Sequence, residues 1–160
     1  MDELNKGSVP KVDHTRLRPG LYLYKHSYTA TIYDLRFVRP NHKSRISPQA
    51  IHTLEHLGNS YIEKQRFPKI NVICFAPMGC RTGFYLVVSG WQNPLRKDSP
   101  ILIMVKNLLK SIIDFEGDIP GATPEECGNW REHNLPEAKS WAAKYLYDLQ
   151  HKPHFEYPML

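Results

Sequence analysis

The segment Ile51-His52-Thr53-Leu54-Glu55-His56-Leu57 carries two imidazoles four residues apart, with a carboxylate directly before the second. On a helix, positions i and i+4 lie one turn apart on the same face. Their Cβ atoms are then about 5–6 Å apart, so both rings can reach one ion whose bonds to nitrogen are about 2 Å long. Random order in a chain of this composition would produce H-x-x-E-H only roughly 0.02 times. The alternative is a solvated or hydrogen-bonded histidine pair. Metal analysis of the protein and of His52→Ala and His56→Ala separates the two.

Two thiols extend the constellation. Cys127 stands beside Gly128 in a loop rich in Gly and Pro, and a thiolate there is a natural third ligand for the histidine pair. Three protein ligands leave a fourth position for water or substrate, the pattern of a catalytic site. Cys80 lies in a glycine-flanked turn that leaves its thiol approachable. A thiol titrates near about 8.5, and Arg81 beside it is expected to lower that value. Glu55, carried on the ligand helix, can move a proton without ligating, and Cys80 can be its counterpart. An open metal with two proton carriers suits chemistry alpha to a carbonyl, namely enolisation, isomerisation and elimination, and it also suits hydrolysis. Spacing does not choose between them.

These groups need a scaffold. Ser47-Pro48 is a capping hydroxyl followed by a proline at the first helical position, which predicts a helix from about Ser47 to Gln65. Ile51, Leu54, Leu57 and Tyr61 form its apolar stripe, and His52, Glu55 and His56 fall within an arc of about 100° beside it. Ser99-Pro100 opens a second helix with Ile101, Leu102, Val105, Leu108, Leu109, Ile112 and Ile113 as its core face. Asn134 and Pro136 start a third, with Ala138, Trp141, Ala142, Tyr145, Leu146 and Leu149 at helical spacing. The tail from His151 contains Pro153 and Pro158 and is expected to be non-helical.

Strands are expected from Gly20 to Tyr24 and from Thr29 to Arg39, paired antiparallel around a turn at His26-Ser27, and at 71–76 and 84–88. Tyr33, Leu35 and Phe37 alternate with Asp34 and Arg36, which puts Arg36 on the polar side, by default a solvated face. Residues 1–13 read as an irregular arm ending at Asp13-His14-Thr15. Residues 117–135 read as a loop.

A chain of 160 residues is one domain's worth. The start is acidic and lacks an apolar leader, and no run approaches the length of a membrane span, so the expected location is the cytoplasm, without membrane association. The net charge of +5 is spread out rather than gathered into a stripe with aromatics, which argues against nucleic acid as a partner. Three cysteines, an odd number, argue against a disulfide framework.

The motifs I-H-T-L-E-H-L, P-M-G-C-R-T-G-F-Y-L and the late C-G, with D-H-T near the start and D-L-R-F before the helix, resemble the S-ribosylhomocysteine lyases of the LuxS family, which make the precursor of autoinducer-2. The matches run in family order from residue 13 to residue 128. The resemblance implies an α+β sandwich, an antiparallel sheet packed on helices, and a homodimer with two sites at the subunit interface. It implies metal binding by His52, His56 and Cys127, one divalent ion per subunit, ferrous iron (Fe2+) with zinc or cobalt able to substitute. It implies two carbonyl migrations along the open-chain ribose, then β-elimination of homocysteine. Glu55 and Cys80 would carry protons. His14, reaching across from the partner, and Arg36 would contact the ribose, and Gly128 the homocysteine end.

Three positions depart from the family pattern. Cys74 stands where an Asp is usual, Val9-Pro10 where Ser-Phe is usual, and Glu63 where an Arg is common. Those residues help hold the substrate, so altered handling of the homocysteine moiety is expected. The competing readings are a non-catalytic or altered-substrate relative of the lyase, and a metallopeptidase of the inverted H-x-x-E-H type. The latter normally takes a distant carboxylate as third ligand, against which the Cys127 loop argues.

Overall fold

In each helix, a serine or asparagine followed by proline starts the first turn. The computed structural model describes residues 10–89 and 95–160. Helix α1 spans Pro48–Lys64, α2 Pro100–Ile113 and α3 Leu135–His151. Ser47 Oγ accepts from the Ala50 N–H at 3.1 Å, and Asn134 Oδ1 accepts from the Glu137 N–H at 3.1 Å, each satisfying one orphan donor of its helix. Glu137 also ties the two helix starts together, taking the Ser47 hydroxyl at 2.6 Å and the Ser47 N–H at 3.1 Å. Burial alone would raise the Glu137 carboxyl, but these Ser47 donors outweigh it and hold it below its usual range.

The four strands, β1 (Gly20–His26), β2 (Thr31–Arg36), β3 (Asn71–Pro77) and β4 (Gly83–Ser89), form one antiparallel sheet in the order β1-β2-β4-β3. The β1–β2 turn occupies residues 27–30, closed by Ser27 N–H to the Ala30 carbonyl at 2.8 Å, so β2 begins and ends later and earlier than its apolar alternation suggested. Helices α1 and α3 pack against β3 and β1, α2 packs on α1 and α3, and all three share one core with Leu21, Tyr33, Leu35, Phe75, Phe84, Leu86 and Val88 on one face of the sheet. The opposite face carries Tyr24, Ile32, Tyr85 and Val87, all only half-buried. The fold is therefore α+β, in two layers, as expected. The tail after α3 is non-helical but not free: Met159 bridges Val12, and the His154 carbonyl accepts from Leu21 N–H at 3.0 Å. Part of the N-terminal arm, including Val9, lies outside the described residues.

The metal-candidate helix is seated by a close approach. A Cβ at Gly58 would come within 2.3 Å of the Phe75 ring. That ring cannot retreat, because it stacks on Phe84 with centroids 4.6 Å apart and planes at 5°. Gly58→Ala is expected to destabilise the protein by about 1–3 kcal/mol through overpacking, more than the roughly 1 kcal/mol that alanine gains in helix propensity. A thermal melt checks this, and an unchanged or raised Tm would contradict it.

Candidate metal centre

His52 and His56 project from one face of α1 with ring centroids 4.6 Å apart, edge to face. Both are half-buried. Each Nδ1 faces a backbone carbonyl of the 114–134 connection: His52 Nδ1 lies 2.8 Å from Glu132 O, and His56 Nδ1 lies 2.7 Å from Pro120 O. A carbonyl only accepts, so both Nδ1 atoms carry a proton, and the neutral form of each ring then has its lone pair on Nε2. This is how ligating histidines are oriented and made more basic. Gly121 permits the approach, with φ +70 and a virtual Cβ already 3.4 Å from His56 Nδ1.

The same connection delivers the sulfur. Cys127 Sγ lies 3.3 Å from His52 Nε2. It also brings a residue that the motif reading passed over. His133 stacks on His52 at 4.3 Å and meets His56 edge-on at 4.9 Å. Ligand atoms of His52, His56 and His133 all lie within 4.8 Å of one another. His133 Nδ1 is 3.0 Å from Thr53 Oγ1, whose own proton can go to Gln49 O at 3.0 Å. Burial first, then the neighbouring His52 and His56, push His133 down to about 4, so its ring is neutral at physiological pH. Its Nε2 is buried with no hydrogen-bond partner among the described residues. The available signal was its position six residues after Cys127, at the end of the ligand loop.

A buried acceptor without a donor, two Nε2 lone pairs with fixed tautomers and an adjacent thiol form a donor set of nitrogen and sulfur that suits a divalent transition ion. Nitrogen and sulfur donors of this kind do not suit calcium or magnesium.

A cavity of about 640 Å³ opens against this cluster, lined among others by His52, Glu55, His56, Glu63, Lys64, Cys127 and Gly128. Its size is that of a small-molecule site. Glu55 stands half-buried on its wall, and Gly128 is exposed, with nothing within 4 Å of where a Cβ would be. Glu63, one of the three departures, lines it beside Lys64, a cation the motif reading did not single out. Cys74, another departure, is exposed on β3.

The other expected site residues gather elsewhere. Cys80, Arg36 and His14 do not line this cavity. Arg36 is not on a solvated face: it is 4% exposed, and Asp34 is 1% exposed. Arg36 Nη2 donates to Asp34 Oδ2 at 2.6 Å, and Nη1 donates to Thr82 Oγ1 at 2.6 Å and lies 3.9 Å from Cys80 Sγ. The cation at the thiol is thus Arg36, not Arg81, which adopts φ 57 and donates to Ile46 O at 3.3 Å. The reason is that Asp34 on the same strand and Thr82 from the β3–β4 turn hold the Arg36 guanidinium, with Nη1 beside the Cys80 sulfur. Burial raises the Cys80 thiol, but Thr82 and then Arg36 outweigh it and hold the thiol below its usual range. His14 is exposed on the N-terminal arm, its Nδ1 3.1 Å from Val12 O.

The family model for S-ribosylhomocysteinase (LuxS) matches residues 9–156 and so stops one residue short of Tyr157. Among similar proteins, the S-ribosylhomocysteine lyase of Finegoldia magna is 37% identical over 147 residues, covering 89% of this chain and 90% of its own. That of Borreliella afzelii is 40% identical over 139 residues, covering 84% and 86%. That of Phocaeicola vulgatus is 36% identical over 154 residues, covering 92% and 93%.

Proposed function

Because the chain belongs to the S-ribosylhomocysteinase (LuxS) family, we propose that it cleaves the thioether of S-ribosylhomocysteine, giving homocysteine and 4,5-dihydroxypentane-2,3-dione, the autoinducer-2 precursor. The observation that carries the proposal is the convergence of the two tautomer-fixed histidines and the Cys127 sulfur on a cavity walled by Glu55.

His52, His56 and Cys127 are the residues we assign to a divalent ion, with His133 packed against them. Ferrous iron is the ion to test first, with zinc and cobalt as substitutes. When bound, the ion supplies Lewis acidity toward a sugar carbonyl or hydroxyl. The chain's own residues then do the proton work. Each carbonyl migration takes a proton from one sugar carbon and returns one to its neighbour. Glu55 as carboxylate and Cys80 as thiolate are the two groups we assign to this exchange. With the carbonyl at C3, removal of the C4 proton expels the sulfur from C5, and homocysteine leaves. No water is consumed, and among the described residues the donors that converge are imidazoles rather than a carboxylate, which disfavours the metallopeptidase reading. Arg36, His14 and Gly128 are assigned to hold the substrate.

A homodimer fits this division of labour. Glu55 lines the cavity of its own subunit, whereas Cys80, Arg36 and His14 do not. The half-buried apolar face of the sheet is open to a second copy. We therefore place Cys80, Arg36 and His14 in the cavity of the partner subunit, so that each site takes residues from both. Three free thiols suit a reducing compartment, and the cytoplasm is our assignment. Among the described residues no helix is long and apolar enough to cross a membrane.

The direct test is thiol release from S-ribosylhomocysteine by anaerobically iron-loaded protein, and no release under those conditions overturns the proposal. The exposed Glu63 repels a substrate carboxylate, and Glu63→Arg is expected to raise kcat/KM by about threefold to tenfold, mainly through KM. An unchanged KM would show that Glu63 does not face the amino-acid end.

A further inference from the structure

The last residues of the chain return to the sheet and reach the thiol through two intermediaries. The tail is pinned at several backbone points: the Pro158 carbonyl accepts from Asp13 N–H at 2.8 Å, and Leu160 N–H donates to Lys11 O at 3.0 Å. Between the pins, the Tyr157 ring lies flat on Tyr22, with centroids 4.6 Å apart and planes at 10°. Its hydroxyl donates to Asp34 Oδ2 at 2.9 Å, the same oxygen that receives Arg36 Nη2. Arg36 then reaches Thr82 and Cys80 with Nη1. Five side chains from the tail, β2 and the β3–β4 turn thus form one continuous polar chain.

We propose that Tyr157 is a positioning residue for the Cys80 thiolate, acting through Asp34 and Arg36. Asp34 is almost fully buried, and among the described residues its Oδ2 is held by two donors, Arg36 and Tyr157. Burial pushes the carboxyl up, and both donors pull it back. Removing the hydroxyl weakens the ionised form and with it the grip on Nη2. A guanidinium tied at Nη2 keeps Nη1 aimed at the thiol, and one released at Nη2 does not. The groups facing Cys80 are Thr82 on its own turn, Arg36 from β2 with Asp34 behind it, and Tyr85 from β4 with Tyr24 beside it; His14 faces Asp34 from the arm.

The inference rests on the proposed role of Cys80 only for its effect on turnover. Its test is therefore the thiol itself: the rate of iodoacetamide alkylation at the Cys80 peptide, measured against pH in the full-length metal-loaded protein. Tyr157→Phe keeps the ring stack and removes only the hydroxyl. It is expected to slow alkylation at neutral pH by about threefold or more and to move the profile upward by about half a pH unit to one unit. Tyr22→Phe removes a neighbouring hydroxyl that donates to Arg18 O at 2.8 Å instead, and its profile should match wild type. An unmoved or downward profile in Tyr157→Phe, or the same shift in Tyr22→Phe, overturns the inference. A shifted profile with unchanged turnover would support the positioning and instead sink the role of Cys80 in the reaction.

Discussion

Replacing His52 or His56 with alanine is expected to leave the purified protein largely free of metal and to cut thiol release by on the order of a thousandfold or more. Each ring is committed to this task, its Nδ1 proton spent on a backbone carbonyl and its Nε2 lone pair turned toward its neighbours. Truncating one removes one of the two tautomer-fixed imidazoles from a site that needs three or four donors. Cys127 and His133 can be told apart in the same series. In cobalt-loaded protein a thiolate ligand gives a sulfur-to-metal absorption band, which Cys127→Ser should abolish and His133→Asn should leave in place. A full metal complement in His52→Ala would remove the basis of the proposed chemistry.

Mixing Glu55→Gln with Cys80→Ser is expected to recover activity that neither variant has alone. Each single change removes a proton carrier and should slow turnover by roughly 10²- to 10⁴-fold. In a dimer whose sites take Glu55 from one subunit and Cys80 from the other, random exchange makes about half the dimers mixed. Each mixed dimer holds one site with both wild-type residues and one with neither. Turnover should therefore rise to about a quarter of wild type after unfolding and joint refolding, or after prolonged subunit exchange. If Glu55 and Cys80 served the same subunit's site, every site in the mixture would lack one of them and activity would stay at the level of the single variants.

Much of this molecule is written in short-range pattern. The capping Ser47 and Asn134, each followed by a proline in the first turn, mark helix starts that the structure reproduces. The alternation of Tyr33, Leu35 and Phe37 identifies the buried face of β2. The histidine pair is legible because a helix fixes the relation of residues four apart by covalent geometry and its own hydrogen bonds, whatever the rest of the chain does.

What sequence spacing left open is what depends on distant segments meeting. Cys127 is 75 residues from His52, and a loop without periodicity carries no signal of where it will land. His133 carries no motif signal for that reason, although it stands 4.3 Å from the His52 ring and 4.9 Å from the His56 ring. Alternation puts Arg36 on the polar face of its strand but reports only which face a side chain takes, not what covers that face. A tail returning from 123 residues away brings Tyr157 onto Asp34, the partner of the Arg36 guanidinium. The sequence by itself determined the helix that offers two imidazoles and the kinds of group available for proton transfer. Only the tertiary structure decided which sulfur, which carbonyls and which guanidinium surround them, because those contacts follow from packing between remote segments rather than from the local geometry of any one.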